Sequence, residues 1–190
     1  MVKGVYSYIR DAWQNMPREV RQARLIEWRA SDSAVKVERP LRLDRARALG
    51  YKAKNGFVLI RIRLNRGGRK RTRHKKGRKS RKQHVSKILK MSYKWVAEIR
   101  AEKKYPNLEV LNSYPIGKDG KHYFFEVIMV DPSKPEIRND RTLNWITKYE
   151  NKNRAVRGLT SAGRKSRGLS TKSPDMKVRP SLRSWGRIGK

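Results

Sequence analysis

LEVLNSYPIGKDGKHYFFEVIMV (Leu108–Val130) holds two apolar runs separated by GKDG (Gly117–Gly120). LEVLNSY (Leu108–Tyr114) and HYFFEVIMV (His122–Val130) are rich in the β-branched and aromatic residues that suit a pleated, half-buried surface. The Asp-Gly pair between them supplies residues tolerant of positive φ, so the two runs read as a hairpin. Strands joined by so short a turn run antiparallel. Upstream, FVLIRIRL (Phe57–Leu64) reads as a third strand, with Val58, Ile60, Ile62 and Leu64 on one face. Arg61 and Arg63 fall on the other, which predicts one dry face and one basic face. Val85, Ile88, Leu89, Val96 and Ile99 then follow helical spacing through about Lys104. The order strand, helix, strand, strand predicts an α+β fold: a small, mostly antiparallel sheet packed with helices, plus extended basic arms.

The N-terminal region is helical in pattern. Val2, Val5, Ile9, Trp13 and Met16 lie near one face of a helix over residues 2–14. Pro17 suits the first turn of a second helix running to about Arg29, with Val20, Ala23 and Trp28 apolar and Arg18, Arg21 and Arg24 polar. Ala30 to Pro40 shows no period. Asp44 is placed to cap a short helix, DRARAL, that Gly50 ends. This organisation predicts a core over 1–147 with an internal basic arm at 66–84, and an extended basic tail over 148–190.

Charge sets the function class. The chain has 190 residues, with 50 Lys+Arg against 16 Asp+Glu, a formal net charge of +34. Positions 45–97 contain no carboxylate and twenty Lys or Arg. The centre of that stretch, Arg66–Lys82, has eleven basic residues in seventeen, and Lys148–Lys190 has thirteen against Glu150 and Asp175. Blocks of like charge repel in water and are relieved against a polyanion, where they release condensed counterions. With no cysteine, disulfides, thiolate metal sites and a Cys nucleophile are excluded. No apolar run approaches the roughly 20 residues of a membrane span, and the start lacks the apolar segment of a secretory signal. A soluble intracellular protein is expected.

Catalytic readings fare poorly. His74, His84 and His122 have no metal-ligand spacing and read as phosphate-facing or surface residues. Glu98 and Glu102 stand at i, i+4 and could serve as acid and base or hold a metal. Lys94, Arg100, Lys103 and Lys104 around them make local charge balance the simpler account. GLTSAGRKS (Gly158–Ser166) approaches the G-x-x-x-x-G-K-[ST] loop, but Arg164 occupies the Lys position and the flanks are polar. Its glycines and cations suit close approach to phosphates without turnover. Trp28, Tyr51, Trp145, Tyr149 and Trp185 could stack on splayed bases, with core packing the competing reading for Trp28 and Trp145. A DNA-compacting nucleoid protein is the alternative that charge alone leaves open.

Three long segments carry a resemblance. LDRARALGYKAKNGFVLIRIRLNRGGRKR (Leu43–Arg71), VLNSYPIGKDGKHYFFEVIMVDP (Val110–Pro132) and RGLTSAGRKSRGL (Arg157–Leu169) closely resemble the large-subunit ribosomal protein family fifteen of the archaeal–eukaryotic "e" series. WITK (Trp145–Lys148) and the opening helix pair resemble it too. The resemblance implies a non-catalytic constituent of the large ribosomal subunit, supporting translation from the cytoplasm of an archaeon. Its implied partners are large-subunit ribosomal RNA and neighbouring ribosomal proteins, with no membrane and no small-molecule substrate. It implies no cofactor beyond Mg or monovalent ions shared with RNA, and no metal site. By motif match, Arg66, Arg69, Lys70 and Arg71, then Arg157, Arg164, Lys165, Ser166 and Arg167, carry over as RNA-contacting positions, joined by Tyr51, Lys52 and Lys54 of GYKAKNG. Arg73, Lys75, Lys76, Arg78, Lys79, Arg81 and Lys82 agree in charge more than in letters, and Trp185 is expected to contact RNA from the tail.

Overall fold

The computed structural model of the chain describes residues 3–70, 75–78, 81, 86–87, 89 and 91–170. Its centre is the pairing of β2 (Phe57–Asn65) with β6 (His122–Val130), antiparallel from Phe57 opposite Val130 to Asn65 opposite His122. β5 (Glu109–Lys118) pairs with the far side of β6, and β1 (Ala34–Val37) with the far side of β2. The order is β1-β2-β6-β5 and every pairing is antiparallel, the α+β class expected.

Period-two alternation sorts β6 onto two faces. Phe125, Val127 and Met129 join Ile60, Ile62 and Leu64 beneath α4 (Tyr93–Lys104), which contributes Ala97 and Ala101. Phe124 and Ile128 face the other way with Leu59, Tyr114 and Ile116, where α2 (Arg18–Ala30) lays Trp28 across the sheet. Trp28 is 4% exposed and its ring lies 5.3 Å from that of Phe124. The second face of β2 is therefore not an open basic face. Leu59 is buried there, and the Arg61 guanidinium, 5.6 Å from the Trp28 ring, is tucked under α2. A sheet covered on both faces needs a third layer, and the N-terminal helices supply it.

Other expectations are corrected locally. α1 (Val5–Gln14) is present, but Pro17 is the N-cap of α2 and lies outside its first turn. Asp44 does not cap α3 (Leu43–Ala48). It sits inside the first turn and pairs with Arg42 at 3.3 Å, while Gly50 takes φ +97 where the helix ends. α4 starts at the Ser92 N-cap, whose hydroxyl accepts from the Trp95 N–H. The expected helix is shorter at its start, because Ser86–Lys87 is strand β4, paired with β3 (Arg69–Lys70). Val85 and Ile88 lie outside the described residues. The hairpin forms with no positive φ at Gly120. The Asp119 carboxylate closes it by accepting from the N–H groups of Lys121 and His122.

The largest departure follows Lys148. Two 310 turns (Asn144–Thr147 and Tyr149–Asn151) lead into a segment that folds back on α4 and β5 and ends in α6 (Ser161–Ser166). Ala155 and Thr160 are fully buried and Arg154 nearly so. Within residues 148–170 the expected extended course is not found; the reason lies in the carboxylates described below. No helix among the described residues is long and apolar enough to cross a membrane.

Truncating a large buried aromatic costs about 3–5 kcal/mol. Trp28→Ala is expected to lose stability in that range in urea denaturation. A loss below about 1 kcal/mol would mean that this ring does not hold the N-terminal layer on the sheet.

Candidate nucleic-acid interface

Among the described residues four carboxylates are buried: Glu98, Glu102, Glu109 and Glu126. Three of them hold the segment after Lys148. Glu102 accepts from the backbone N–H groups of Ala155 and Val156, at 3.1 and 2.8 Å. Glu109 accepts from the N–H of Asn153 at 3.1 Å. Glu98 takes the hydroxyls of Ser113 and Thr160 on its two oxygens. Arg154 donates to the carbonyls of Val110 and Leu111 at 2.6 and 3.0 Å, with its guanidinium 4.8 Å from the Trp145 ring. The Trp95 indole N–H donates to Ala155 O at 2.7 Å. The i, i+4 glutamates are thus anchors for another part of the chain, and the local charge balance read from sequence does not describe them.

Glycine geometry completes the fold-back. A Cβ at Gly158, which has φ +70, would lie 2.9 Å from Trp95 Cζ2, and one at Gly163 would lie 2.7 Å from the Gly158 Cα. The two glycines pack against one another, and Thr160 caps α6 by accepting from the Gly163 N–H. The spacing that resembles a phosphate loop is used here for internal contact.

The cations this frame presents are distinct from those it consumes. Lys148, Lys152, Arg164 and Lys165 are exposed, as is Tyr149 at 87%. Arg167 is buried, donating to the carbonyls of Arg157 and Gly158. Arg157 is half-buried and donates to the Glu150 and Lys152 carbonyls. Ser166 accepts from the Ser92 N–H at 3.0 Å and donates to its hydroxyl, tying α6 to the start of α4. Lys52 and Lys54 both reach Asp140, at 2.7 and 2.6 Å, and Thr142 shares that carboxylate. These partners hold the Asp140 carboxyl well below the usual carboxylate range. Tyr51 packs edge-on to Phe57.

Arg66 lies over the Tyr123 ring at 4.9 Å and donates to the Asp119 carbonyl. Arg69 and Lys70 form β3, at the root of the arm. Lys75, Lys76, Arg78 and Arg81 are exposed. Arg71, Arg73, Lys79, Lys82 and Trp185 lie outside the described residues. Of the aromatics considered for stacking, Trp28 belongs to the core, Trp145 is half-buried under Arg154, and Tyr149 is open. Sequence reading missed the buried stripe Trp95, Glu98 and Glu102 on α4; its i, i+3, i+7 spacing on an apolar face was the available signal.

Four glutamates turned inward beneath a surface rich in exposed lysines and arginines define a basic α+β module of the kind that binds polyanions. The profile of the family described as "Ribosomal L15" matches residues 4–185. The large ribosomal subunit protein eL15 of Methanocella arvoryzae is 50% identical over 196 residues, covering 100% of each chain. That of Methanospirillum hungatei is 47% identical over 97% of each chain. That of Picrophilus torridus is 47% identical over 96% of this chain and 97% of its own. The chain belongs to this L15e family of ribosomal proteins.

Burial pushes the Glu98 carboxyl up, against the opposing pull of Ser113, Thr160, Lys94 and Arg154. A carboxyl held above its unfolded value binds its proton more tightly when folded. Its contribution to stability is therefore complete at low pH. It is lost as pH rises from the ordinary carboxylate range through the raised value. Glu102, Glu109 and Glu126 shift in the same direction, so Glu98→Gln is expected to make the fall of Tm across that window shallower. An unchanged slope would contradict the assignment.

Proposed function

We propose that the chain is a structural constituent of the large ribosomal subunit, which binds and scaffolds large-subunit ribosomal RNA through phosphate contacts of its basic surface and arms. The observation that carries this reading is the near full-length kinship with proteins named large ribosomal subunit protein eL15. The charge distribution supplies the mechanism. Across positions 45–97 nothing acidic offsets twenty cations, so the free chain repels itself and binding RNA relieves that repulsion by releasing counterions.

The finer assignments follow from exposure. Arg164 and Lys165 on α6, with Lys75, Lys76, Arg78 and Arg81 in the arm, are the phosphate contacts of this reading. Arg157, Ser166 and Arg167 act from behind as positioning residues, since the chain's own carbonyls and hydroxyls engage them. Lys52 and Lys54 reach RNA while remaining paired with Asp140. In domain terms the core extends to about residue 170, and the arm at 66–84 together with 171–190 enters RNA crevices. The protein works without turnover: Glu98 and Glu102, the only acid pair that sequence singled out, are spent on holding the chain. Its setting is the ribosome in the cytoplasm, beside other large-subunit proteins.

Sedimentation of a native lysate tests this. The protein is expected to travel with the large ribosomal subunit and to stay there in a high-salt gradient. Release into light fractions, or travel with DNA, would contradict it.

A further inference from the structure

A cleft lies between the N-terminal helices α1 and α2 and the edge strand β5, and no part of the proposed function uses it. Its volume is about 350 Å³, at the small end of the roughly 300–1,000 Å³ typical of small-molecule sites. Trp28, Ile116 and Gly117 form the floor. A Cβ at Gly117 would stand 3.0 Å from the Trp28 ring, so the glycine keeps that floor flat. Trp13, Met16 and Leu25 line the walls, and the Arg24 guanidinium donates to the Met16 Sδ at 3.5 Å. Trp13 is half-buried, with the guanidinium of Arg24 at 5.8 Å from its ring centre and that of Arg42 at 5.3 Å. The remaining lining includes Arg21, Arg24 and Lys118 and no carboxylate.

From this geometry we infer that the cleft receives one unstacked nucleotide of an RNA strand, an inference that rests on the RNA-binding reading. An aromatic wall and apolar floor favour a flat heterocycle. Three cations with no lining acid favour an anion within one residue's reach of it. A nucleotide joins the two. An apolar side chain from a partner protein would fill the cavity and leave the cations unmatched. Duplex phosphates would match the cations and leave the cavity empty. The lysines and arginines of the arms neutralise backbone charge without regard to bases, whereas this cleft adds a contact that depends on the base.

The test compares single-stranded oligoadenylate with an abasic strand of equal length and charge, using the full chain at a salt concentration where the abasic strand and a duplex still bind measurably. The natural protein is expected to bind the base-bearing strand about tenfold more tightly, as one stacked base allows. Met16→Trp fills the cavity and Trp13→Ala removes its wall. Each is expected to abolish the preference while still binding a duplex RNA fragment. Arg164→Ala, away from the cleft, should weaken both strands alike. Loss of the preference in either cleft variant that still binds duplex supports the site. A natural protein without the preference, or variants that keep it, would overturn the cleft and leave the RNA-binding reading standing. Failure of the natural protein to bind any RNA would overturn that reading itself.

Discussion

Glu102 receives the amides of Ala155 and Val156 inside the fold, and the geometry of residues 153–160 depends on that contact with its neighbours Glu98 and Glu109. Burying an unpaired carboxylate costs several kcal/mol. Each charge-assisted hydrogen bond returns about 1.5–3 kcal/mol, so a carboxylate taking two donors comes close to balance. The N–H groups of Asn153, Ala155 and Val156 gain as well, since these carboxylates are the acceptors they find in an irregular turn. Asn153 holds φ +54 there, a conformation that asparagine tolerates better than most residues. Polar contacts thus seat a segment that has few apolar side chains to bury.

The same contacts sort charge by depth. In a chain of net charge +34, burying the four glutamates Glu98, Glu102, Glu109 and Glu126 removes negative charge from the surface and leaves the exposed lysines and arginines less opposed. The carbonyls of Val110 and Leu111 keep Arg154 inward, while Arg164 and Lys165 are exposed on α6. A polyanion meets cations already fixed in position, so less conformational entropy is lost on binding than by a wholly flexible arm.

Legibility in the sequence followed the kind of force at work. β2 was readable because alternation is the direct imprint of a pleated sheet on composition, and β5 and β6 because β-branched and aromatic runs flank an Asp-Gly turn. β1 escaped because AVKV is four residues with a lysine among them, and its place depends on β2 being beside it. Arg61 looked solvent-facing because nothing local reveals that Trp28 lies over it. The fold-back of 149–170 was hidden for a different reason. Its partners are carboxylates about fifty residues away, and hydropathy records none of that pairing. Among the candidate contacts, exposed Arg164 and Lys165 and buried Arg167 are indistinguishable by type. The place of Arg167 against Gly158, with its guanidinium on the carbonyls of Arg157 and Gly158, separates their roles.

Amide hydrogen exchange on the isolated chain, without RNA, tests the account at its centre. The N–H groups of Ala155 and Val156 are expected to exchange slowly, in step with those of the β2–β6 pair, because Glu102 holds them in the free protein. Exchange at those two amides as fast as in an unstructured peptide would mean that the carboxylates do not fold the segment, and that its order must come from the partner.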